Sequence, residues 1–257
     1  MGEGGGMPLV PRVGIEPTLL AERDFESRAS TNFATEAGAC SRRSVCHTGR
    51  RLAVPRIVPD ACMLPLPPAT QALLLTNVAI YFLTQLLGPG AFGIFALWPV
   101  GQGFWPWQVI SYGFLHFDFN HLFFNMLGLW MFGGELEQVW GQKRFLVFYF
   151  ASVVAAALTQ LLVNFLLGSG APTVGASGGL FGLLLAFAMI FPNRIILLFF
   201  VIPMKAKWLV ALYGVIELYQ GVYVLNSGVA HFAHLGGMLG GLLTLRYWRG
   251  QAPFGRR

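Results

Sequence analysis

The chain has 257 residues, of which 55% are hydrophobic and only 11% are charged, and its mean hydropathy is +0.61. Soluble domains carry roughly 25% charged residues, so this composition excludes an ordinary soluble globular protein. The formal net charge is +6. Because basic residues next to apolar segments orient membrane proteins, this excess indicates membrane topology, and no nucleic-acid partner is expected.

Residues 1–62 differ from the rest of the chain. They hold 15 of its 28 charged residues and all three cysteines, and they contain no sustained apolar run. Such a stretch cannot bury enough apolar surface to offset the loss of chain entropy, so it is predicted to be disordered. It is either a cytosolic tail or a mis-assigned start, with the true start at Met63. Residues 63–257 form the predicted membrane domain.

Six apolar segments follow, and most are long enough for a bilayer crossing, which needs about 20 helical residues. They cover residues 69–87, 119–138, 142–166, 177–191, 206–224 and 230–248. The apolar run at 195–203 is too short to cross and is predicted to be an interfacial connector. The Gly-, Pro- and Trp-rich segment 88–118 is predicted to lie partly in the lipid headgroups. The sequence thus predicts an all-α polytopic membrane protein, a six-helix bundle with a membrane-embedded outer loop.

The basic residues orient this bundle. All nine that follow Met63 lie after the second, fourth and sixth segments, and the other connectors contain none. Because Lys and Arg accumulate in cytoplasmic loops, both termini are predicted to be cytoplasmic.

Polar residues within apolar segments are costly and therefore mark candidate functional sites. Four places qualify: His121 with Asn125, Ser177, His231 with His234, and Glu217. At 1.5 Å per helical residue from the cytoplasmic charges, the first two places and His234 reach a similar depth. Their side chains are therefore expected to converge in the outer half of the membrane.

Ser177 lies in the run VGASGGLFG, where a loop is expected to become a helix. The unpaired N–H groups of a helix N-terminus can hold a developing oxyanion. The alternative is a packing seam of small residues, Gly178-x-x-x-Gly182, in which the serine has no chemical role.

His234 lies in AHFAHLGGMLGG and shares one helix face with Gly237 and Gly241, so its helix can approach another backbone closely. A neutral imidazole is the usual base for a serine nucleophile. A structural, hydrogen-bonded histidine is the alternative. Glu217 shows no obvious cation partner in the sequence, and both it and His231 are predicted to be structural.

His121 and Asn125, in HLFFN, are four residues apart and point the same way, so they can donate hydrogen bonds to one oxygen. A helix–helix hydrogen bond is the alternative for this pair. A haem held by four of the histidines is a further alternative, but it leaves the glycine-flanked serine unexplained. These histidines are His116, His121, His231 and His234.

HLFFN, GASG and AHLGG, in this order on the second, fourth and sixth segments, resemble the rhomboid family of intramembrane serine proteases over residues 69–248. The resemblance implies that Ser177 is the nucleophile and His234 the general base, in a dyad without an aspartate. It implies an oxyanion hole formed by His121, Asn125 and the backbone N–H of Ser177. It also implies supporting roles for Gly175, Phe181 and His116. The Trp-Arg pair common in the outer loop of the family is replaced here by Trp107-Gln108, which puts the anchoring of that loop in question.

The resemblance implies an intramembrane serine endopeptidase that cleaves in or near the transmembrane segments of single-span membrane proteins, with no metal and no cofactor. A bacterial inner membrane is the expected location, and the oligomeric state is not predicted. The alternative function is a non-catalytic transporter or binding protein with a polar intramembrane site. A transporter usually shows internal repeats, and none is found in this sequence.

Overall fold

The structure is a computed structural model that describes residues 66–168, 170–198, 201–224 and 229–250. The predictions for residues 1–62 therefore lie outside the described residues. The described chain is mainly helical, with helices α1 (Pro68–Leu87), α2 (Pro89–Phe95), α3 (Gln108–Ser111), α4 (Phe119–Gly128), α5 (Gly134–Trp140), α6 (Gln142–Leu167), α7 (Ser177–Ile190), α8 (Ala206–Tyr223) and α9 (His231–Trp248).

The helices follow the six apolar segments to within two residues at each end. The second segment is divided, because one π-helical turn, Leu129–Gly133, joins α4 to α5. Local signals set several helix ends. Pro68 occupies the first turn of α1, where its missing N–H costs nothing, and the carboxylate of Asp118 caps α4 by accepting from the backbone N–H of His121 at 2.9 Å.

A buried glutamate on α5 ties the start of α1 to the bundle. Glu137 accepts hydrogen bonds from the backbone N–H groups of Ala69 and Thr70, at 2.9 and 2.7 Å, and from the Thr70 hydroxyl at 2.8 Å. The first N–H groups of a helix have no partner within it, so this carboxylate stabilises the N-terminus of α1.

The prediction of an all-α fold is wrong at one connector. The run at 195–203 contributes to an antiparallel hairpin of β1 (Ile195–Leu198) and β2 (Ile202–Lys205), in which Ile195 pairs with Lys205. The β-branched residues of this run favour extended backbone, and the hairpin satisfies backbone hydrogen bonds that a short apolar coil would leave open.

Glycines set the spacing between α9 and its neighbours. A Cβ on Gly237 would collide with the carbonyl oxygen of Gly178, and one on Gly241 would lie 3.2 Å from the backbone of Gly182. Helices can pack backbone to backbone only where side chains are this small. The predicted glycine face of this helix is confirmed, and it brings the start of α9 beside the start of α7.

An adjacent face of α9 packs on α6. A Cβ on Gly240 would lie 3.1 Å from the carbonyl oxygen of Ala151, and one on Gly236 would lie 2.5 Å from the Cβ of Thr159. Helix α9 is therefore held between α6 and α7.

Among the described residues, two helices are long and apolar enough by length and composition to cross a membrane: α1 and α6, with mean hydropathies of 1.3 and 2.1. Helix α7 is apolar but has 14 residues. These criteria account for two of the six predicted spans. The outer surfaces of the helices carry exposed apolar side chains, among them Phe82, Leu86, Leu162, Phe165, Leu166, Val215 and Tyr219. Apolar surface on this scale is typical of contact with lipid or with another protein.

Candidate active site

The loop before α7 brings Ser177 and His121 together. Gly175 has φ +128°, a conformation that side chains with a Cβ rarely adopt. A Cβ there would lie 2.8 Å from Nε2 of His121 and 3.6 Å from Oγ of Ser177. Ser177 is the first residue of α7, so the unpaired N–H groups of the first helical turn lie next to its hydroxyl.

This loop is fixed to the segment 88–118 by backbone hydrogen bonds. Leu97 and Thr173 exchange two N–H···O bonds of 2.9 Å each, and the N–H of Gly175 donates to the carbonyl of Tyr112 at 2.9 Å. The Tyr112 hydroxyl in turn donates to the carbonyl of Val153 on α6 at 2.8 Å. The loop before the serine is therefore bonded directly to Leu97 and Tyr112, and through Tyr112 to α6.

The imidazole of His234 lies next to that serine. Its Nε2 is 2.8 Å from Oγ of Ser177, which is hydrogen-bond distance, although the two residues are 57 positions apart in the chain. Phe181, one turn after Ser177, stacks on the imidazole with 4.2 Å between ring centroids and 8° between planes. Tyr213 of α8 meets the same phenyl ring edge-on, with centroids 6.1 Å apart. The ring of His234 is thus held in the orientation that points Nε2 at the serine.

The other ring nitrogen of His234 faces Glu217, on α8. Its Nδ1 lies 2.9 Å from Oε2 of Glu217, and Nδ1 of His231 lies 2.6 Å from the same oxygen. The shorter contact is a hydrogen bond, whereas the contact to His234 is close but poorly aligned for one. All three residues are buried, at 5–8% exposure.

This cluster is not predicted from the sequence, in which Glu217 has no obvious partner. The available signal was weak. His231 and His234 are three residues apart on one helix, and the glutamate lies at a similar depth on the preceding helix.

These three residues also form a set that can bind a metal ion. Their three ligand atoms lie within 4.8 Å of one another, and zinc accepts imidazole nitrogen and carboxylate oxygen. The carboxylate already contacts both imidazoles directly, so the arrangement is accounted for without a metal. That the protein needs no metal and no cofactor stays a prediction.

Only one member of the predicted His121–Asn125 pair faces the cavity. His121 lines it together with Ser177 and His234, whereas Asn125 is buried and is not among the lining residues. The amide Nδ2 of Asn125 donates to the carbonyl of His121 at 2.7 Å. One of its two N–H groups is therefore engaged within α4.

His116 lies behind His121. It is fully buried, and the two rings meet edge-on with centroids 5.0 Å apart. Burial, with a smaller contribution from the neighbouring His121, lowers the pKa of His116 to about 4. It is therefore neutral near pH 7 and supports His121 without adding a charge.

Gln108 anchors the segment that is predicted to be the outer loop. Its buried Oε1 accepts from the backbone N–H groups of Trp98 and Trp105 at 3.2 Å each. Its Nε2 donates to the carbonyls of Ile94 and Gly103 at 3.1 and 3.2 Å. The glutamine thus makes four bonds within the loop, and its replacement of the arginine common in the resembled family leaves the loop anchored.

A cavity of about 1040 Å³ lies over the serine and the imidazole. Its lining includes several polar side chains, namely Tyr112, Asp118, His121, Gln160, Asn164 and Thr173. Polar groups of this kind can hold water and the backbone of a peptide beside Ser177.

Comparison with known proteins identifies the family. A family model described as the Rhomboid domain matches residues 103–250. The mitochondrial Rhomboid protein 1 of Saccharomyces cerevisiae is 38% identical over 139 residues, which are 53% of this chain and 40% of the relative. The Rhomboid protease GlpG of Yersinia enterocolitica is 30% identical over 188 residues, which are 70% of this chain and 62% of that protein. The chain thus covers less than two thirds of the length of these relatives. Since the family model matches more than half of the chain, the protein belongs to the rhomboid family.

Proposed function

We propose that this protein is an intramembrane serine endopeptidase that cleaves peptide bonds in or near the transmembrane segments of membrane proteins. The observation that carries the proposal is the 2.8 Å between Nε2 of His234 and Oγ of Ser177, beside a polar cavity. A serine within hydrogen-bond reach of an imidazole is the arrangement that activates it as a nucleophile. The similarity to proteins named rhomboid protease supports the same activity.

In the proposed mechanism, Oγ of Ser177 attacks the carbonyl carbon of the scissile bond while Nε2 of His234 accepts the hydroxyl proton. His121 and the backbone N–H of Ser177 hold the oxyanion, and the second amide N–H of Asn125, which does not line the cavity, joins them when its side chain turns toward the serine. His234 then donates the proton to the leaving amine, and the substrate's C-terminal part departs. Water, activated by the same imidazole, hydrolyses the acyl-enzyme and restores the serine.

We further propose six membrane spans with both termini in the cytoplasm. The segment made of α4 and α5 would form one span, and α1, α6, α7, α8 and α9 the others. A contact at the end remote from the serine supports this orientation: Nη2 of Arg194, after α7, lies 2.6 Å from Oε2 of Glu135, on α5. Both residues then lie on the cytoplasmic side, where the basic residues collect.

The proposed substrates are single-span membrane proteins. A peptide carbonyl within a helix is hydrogen-bonded and shielded, so a substrate must unwind locally before Ser177 can reach it. Segments with Gly or Pro near the outer end of the span unwind most readily. The bacterial inner membrane remains the proposed location.

Labelling with a serine-reactive fluorophosphonate tests this function in detergent-purified protein. Wild type should be labelled, and Ser177→Ala should not. Ser152→Ala is the matched control, because Ser152 is a buried helical serine that donates to the carbonyl of Phe148 at 3.0 Å and has no imidazole partner in the described structure. It should be labelled like wild type.

The rival transporter predicts a different result. If Ser177 is only a structural serine in a packing seam, none of the three proteins (wild type, Ser177→Ala and Ser152→Ala) should be labelled. Equal labelling of wild type and Ser177→Ala also contradicts the proposed nucleophile.

A further inference from the structure

We propose that Glu217 is a positioning residue for His234, whose carboxylate selects the imidazole tautomer that can accept the proton of Ser177. The inference deepens the proposed protease function and rests on it. Two contacts support it: Glu217 lies close to Nδ1 of His234, and His231 binds the same carboxylate through its own Nδ1.

The carboxylate of Glu217 places a negative charge beside His234. A buried carboxylate costs free energy unless it is paired. Oε2 of Glu217 lies 2.6 Å from Nδ1 of His231 and 2.9 Å from Nδ1 of His234, while Nε2 of His234 is turned to the serine. The negative charge therefore sits on the side of the catalytic imidazole that faces away from Ser177.

This charge favours one of the two neutral tautomers of His234. A neutral imidazole carries its proton on one nitrogen only. With the carboxylate beside Nδ1, the proton is favoured there, so that Nε2 keeps its lone pair for the serine hydroxyl. The same carboxylate lies next to the positive charge that forms when His234 takes up the proton. The aspartate of a Ser-His-Asp triad has these two effects.

Stacking cannot replace this contact. Phe181 lies flat on the ring of His234 and fixes its plane, but an apolar face does not distinguish one ring nitrogen from the other. The selection of the tautomer requires a charged or hydrogen-bonding group at the ring edge, and Glu217 is placed there.

His231 limits the size of the effect. It forms the shorter and better aligned bond to the carboxylate, so Glu217 divides its charge between two imidazoles. Replacing the triad aspartate by asparagine lowers kcat about 10⁴-fold. For the shared and oblique contact described here we expect a smaller loss of kcat, about 10- to 100-fold.

The variant Glu217→Gln tests the proposal on the full chain, with a model single-span substrate. The amide keeps the size of the side chain and removes its charge. We expect kcat to fall by about 10- to 100-fold while KM changes less than about twofold, because the loss lies in the transition state. Glu137→Gln is the matched control, since Glu137 is also a buried, hydrogen-bonded glutamate but lies at the start of α1. It should lower thermal stability and leave kcat unchanged.

The pH profile of kcat gives a readout that a structural role would not move. In Glu217→Gln its acid limb should shift to lower pH, because the protonated imidazole has lost an adjacent negative charge. Other titratable groups face His234 or its carboxylate and must be considered: His231 on α9, His121 on α4 and Tyr213 on α8. These side chains are present in both proteins, so the difference between the two profiles reports on the loss of the Glu217 charge, which acts on His231 as well as on His234.

Wild-type protein offers a test that does not depend on a variant folding. Nitrogen NMR of labelled histidine should show His234 protonated at Nδ1 and bare at Nε2, and His234→Gln assigns the signal among the five histidines of the chain. The opposite tautomer overturns the proposal.

The outcomes separate this proposal from the protease function. If wild type is labelled by the fluorophosphonate and Glu217→Gln matches it in kcat and pH profile, the positioning role is wrong and the protease function stands. If a chelator abolishes wild-type activity and Zn²⁺ restores it, the three residues are a metal site and the positioning role is again wrong. If wild type is neither labelled nor active, the protease function itself fails.

Discussion

The imidazole of His234 and the phenyl ring of Phe181 lie face to face, with 4.2 Å between centroids and 8° between planes. The two residues come from α9 and α7, and the same pair of helices carries the serine contact. Since Phe181 lies one turn after Ser177, one helix both presents the hydroxyl and restrains the imidazole beside it.

Phe181→Leu should therefore lower kcat more than it lowers stability. Leucine fills part of the space but gives no flat surface, so the imidazole can rotate away from the serine. Because small misplacements of catalytic groups are costly, we expect a loss of kcat of about 10- to 100-fold. Phe181→Tyr keeps the flat ring and should retain most of the activity, as measured with a model single-span substrate. Equal losses in the two variants would show that stacking is not the reason.

Gly175→Ala should remove most of the activity. The residue has φ +128°, and the new methyl group would lie 2.8 Å from the imidazole of His121. Strained backbone of this kind costs of the order of 1–3 kcal/mol, and His121 must also move away from the serine.

Gly168→Ala separates these two effects. Gly168 also has a positive φ, +67°, but nothing lies within 4 Å of the position of its Cβ. It should lower the melting temperature and leave cleavage of the model substrate unchanged. If Gly168→Ala and Gly175→Ala lose the same activity, displacement of His121 is not the cause.

The sequence predicts most of this fold, because apolar runs of membrane length leave few alternatives to helix. It does not predict the hairpin of β1 and β2, since a short apolar run between charged residues is compatible with both extended and helical backbone. The sequence does not predict the π-helical turn between α4 and α5 either. Such a turn adds one residue to the helix, and in an apolar helix this addition does not alter the hydrophobic pattern visibly.

The sequence motifs indicate the pairing of Ser177 with His234, but they do not indicate how the helices are rotated about their axes. Ser177 and His234 meet because Gly178 and Gly237 let their helices pack backbone to backbone, and the sequence displays those glycines. The approach of Glu217 depends on how α8 is turned about its axis, which no local pattern records. Asn125 shows a local competition: it points the same way as His121, but its amide bonds to the backbone of its own helix.

Gly237→Ala should force α7 and α9 apart. The new methyl group would collide with the carbonyl of Gly178, next to the serine. Overpacking of this kind costs about 1–3 kcal/mol, and the Ser177–His234 distance should lengthen with it. We expect a lower melting temperature and a loss of fluorophosphonate labelling.

Gly214→Ala is the control for that substitution. Gly214 lies inside α8 with nothing within 4 Å of its Cβ position, and alanine favours helix over glycine by roughly 0.5–1 kcal/mol. Its stability should be equal to or above that of wild type, with labelling retained. A similar loss in both alanine variants would argue against backbone contact as the reason.

His116 should make stability depend on pH. Its pKa is lowered to about 4 by burial, below the 6.5 of an unfolded histidine. The neutral form is thus favoured by folding, so this contribution is complete above pH 6.5 and is lost as the pH falls from 6.5 through 4. A shift of this size corresponds to roughly 3 kcal/mol. Thermal unfolding of wild type and His116→Leu across this range measures it, and equal slopes would contradict the prediction.

Ser177 and His234 should act as one catalytic unit. Ser177→Ala removes a hydroxyl from a seam of small residues, so stability should change little while cleavage of the model substrate is abolished. His234→Ala should abolish cleavage too, and the double variant should be no worse than either single one, because residues that act together are not additive.

Asn125→Ala should be milder than either. The loss of one oxyanion donor costs about 10²–10³ in rate, and His121 with the backbone N–H of Ser177 remains.

Wild-type activity should also fall as the pH is lowered, because a protonated imidazole cannot accept the serine proton. If purified Ser177→Ala cleaves the model substrate at a rate comparable to wild type, the hydroxyl beside His234 is a packing residue, and a transporter or binding protein becomes the better explanation of the polar cavity.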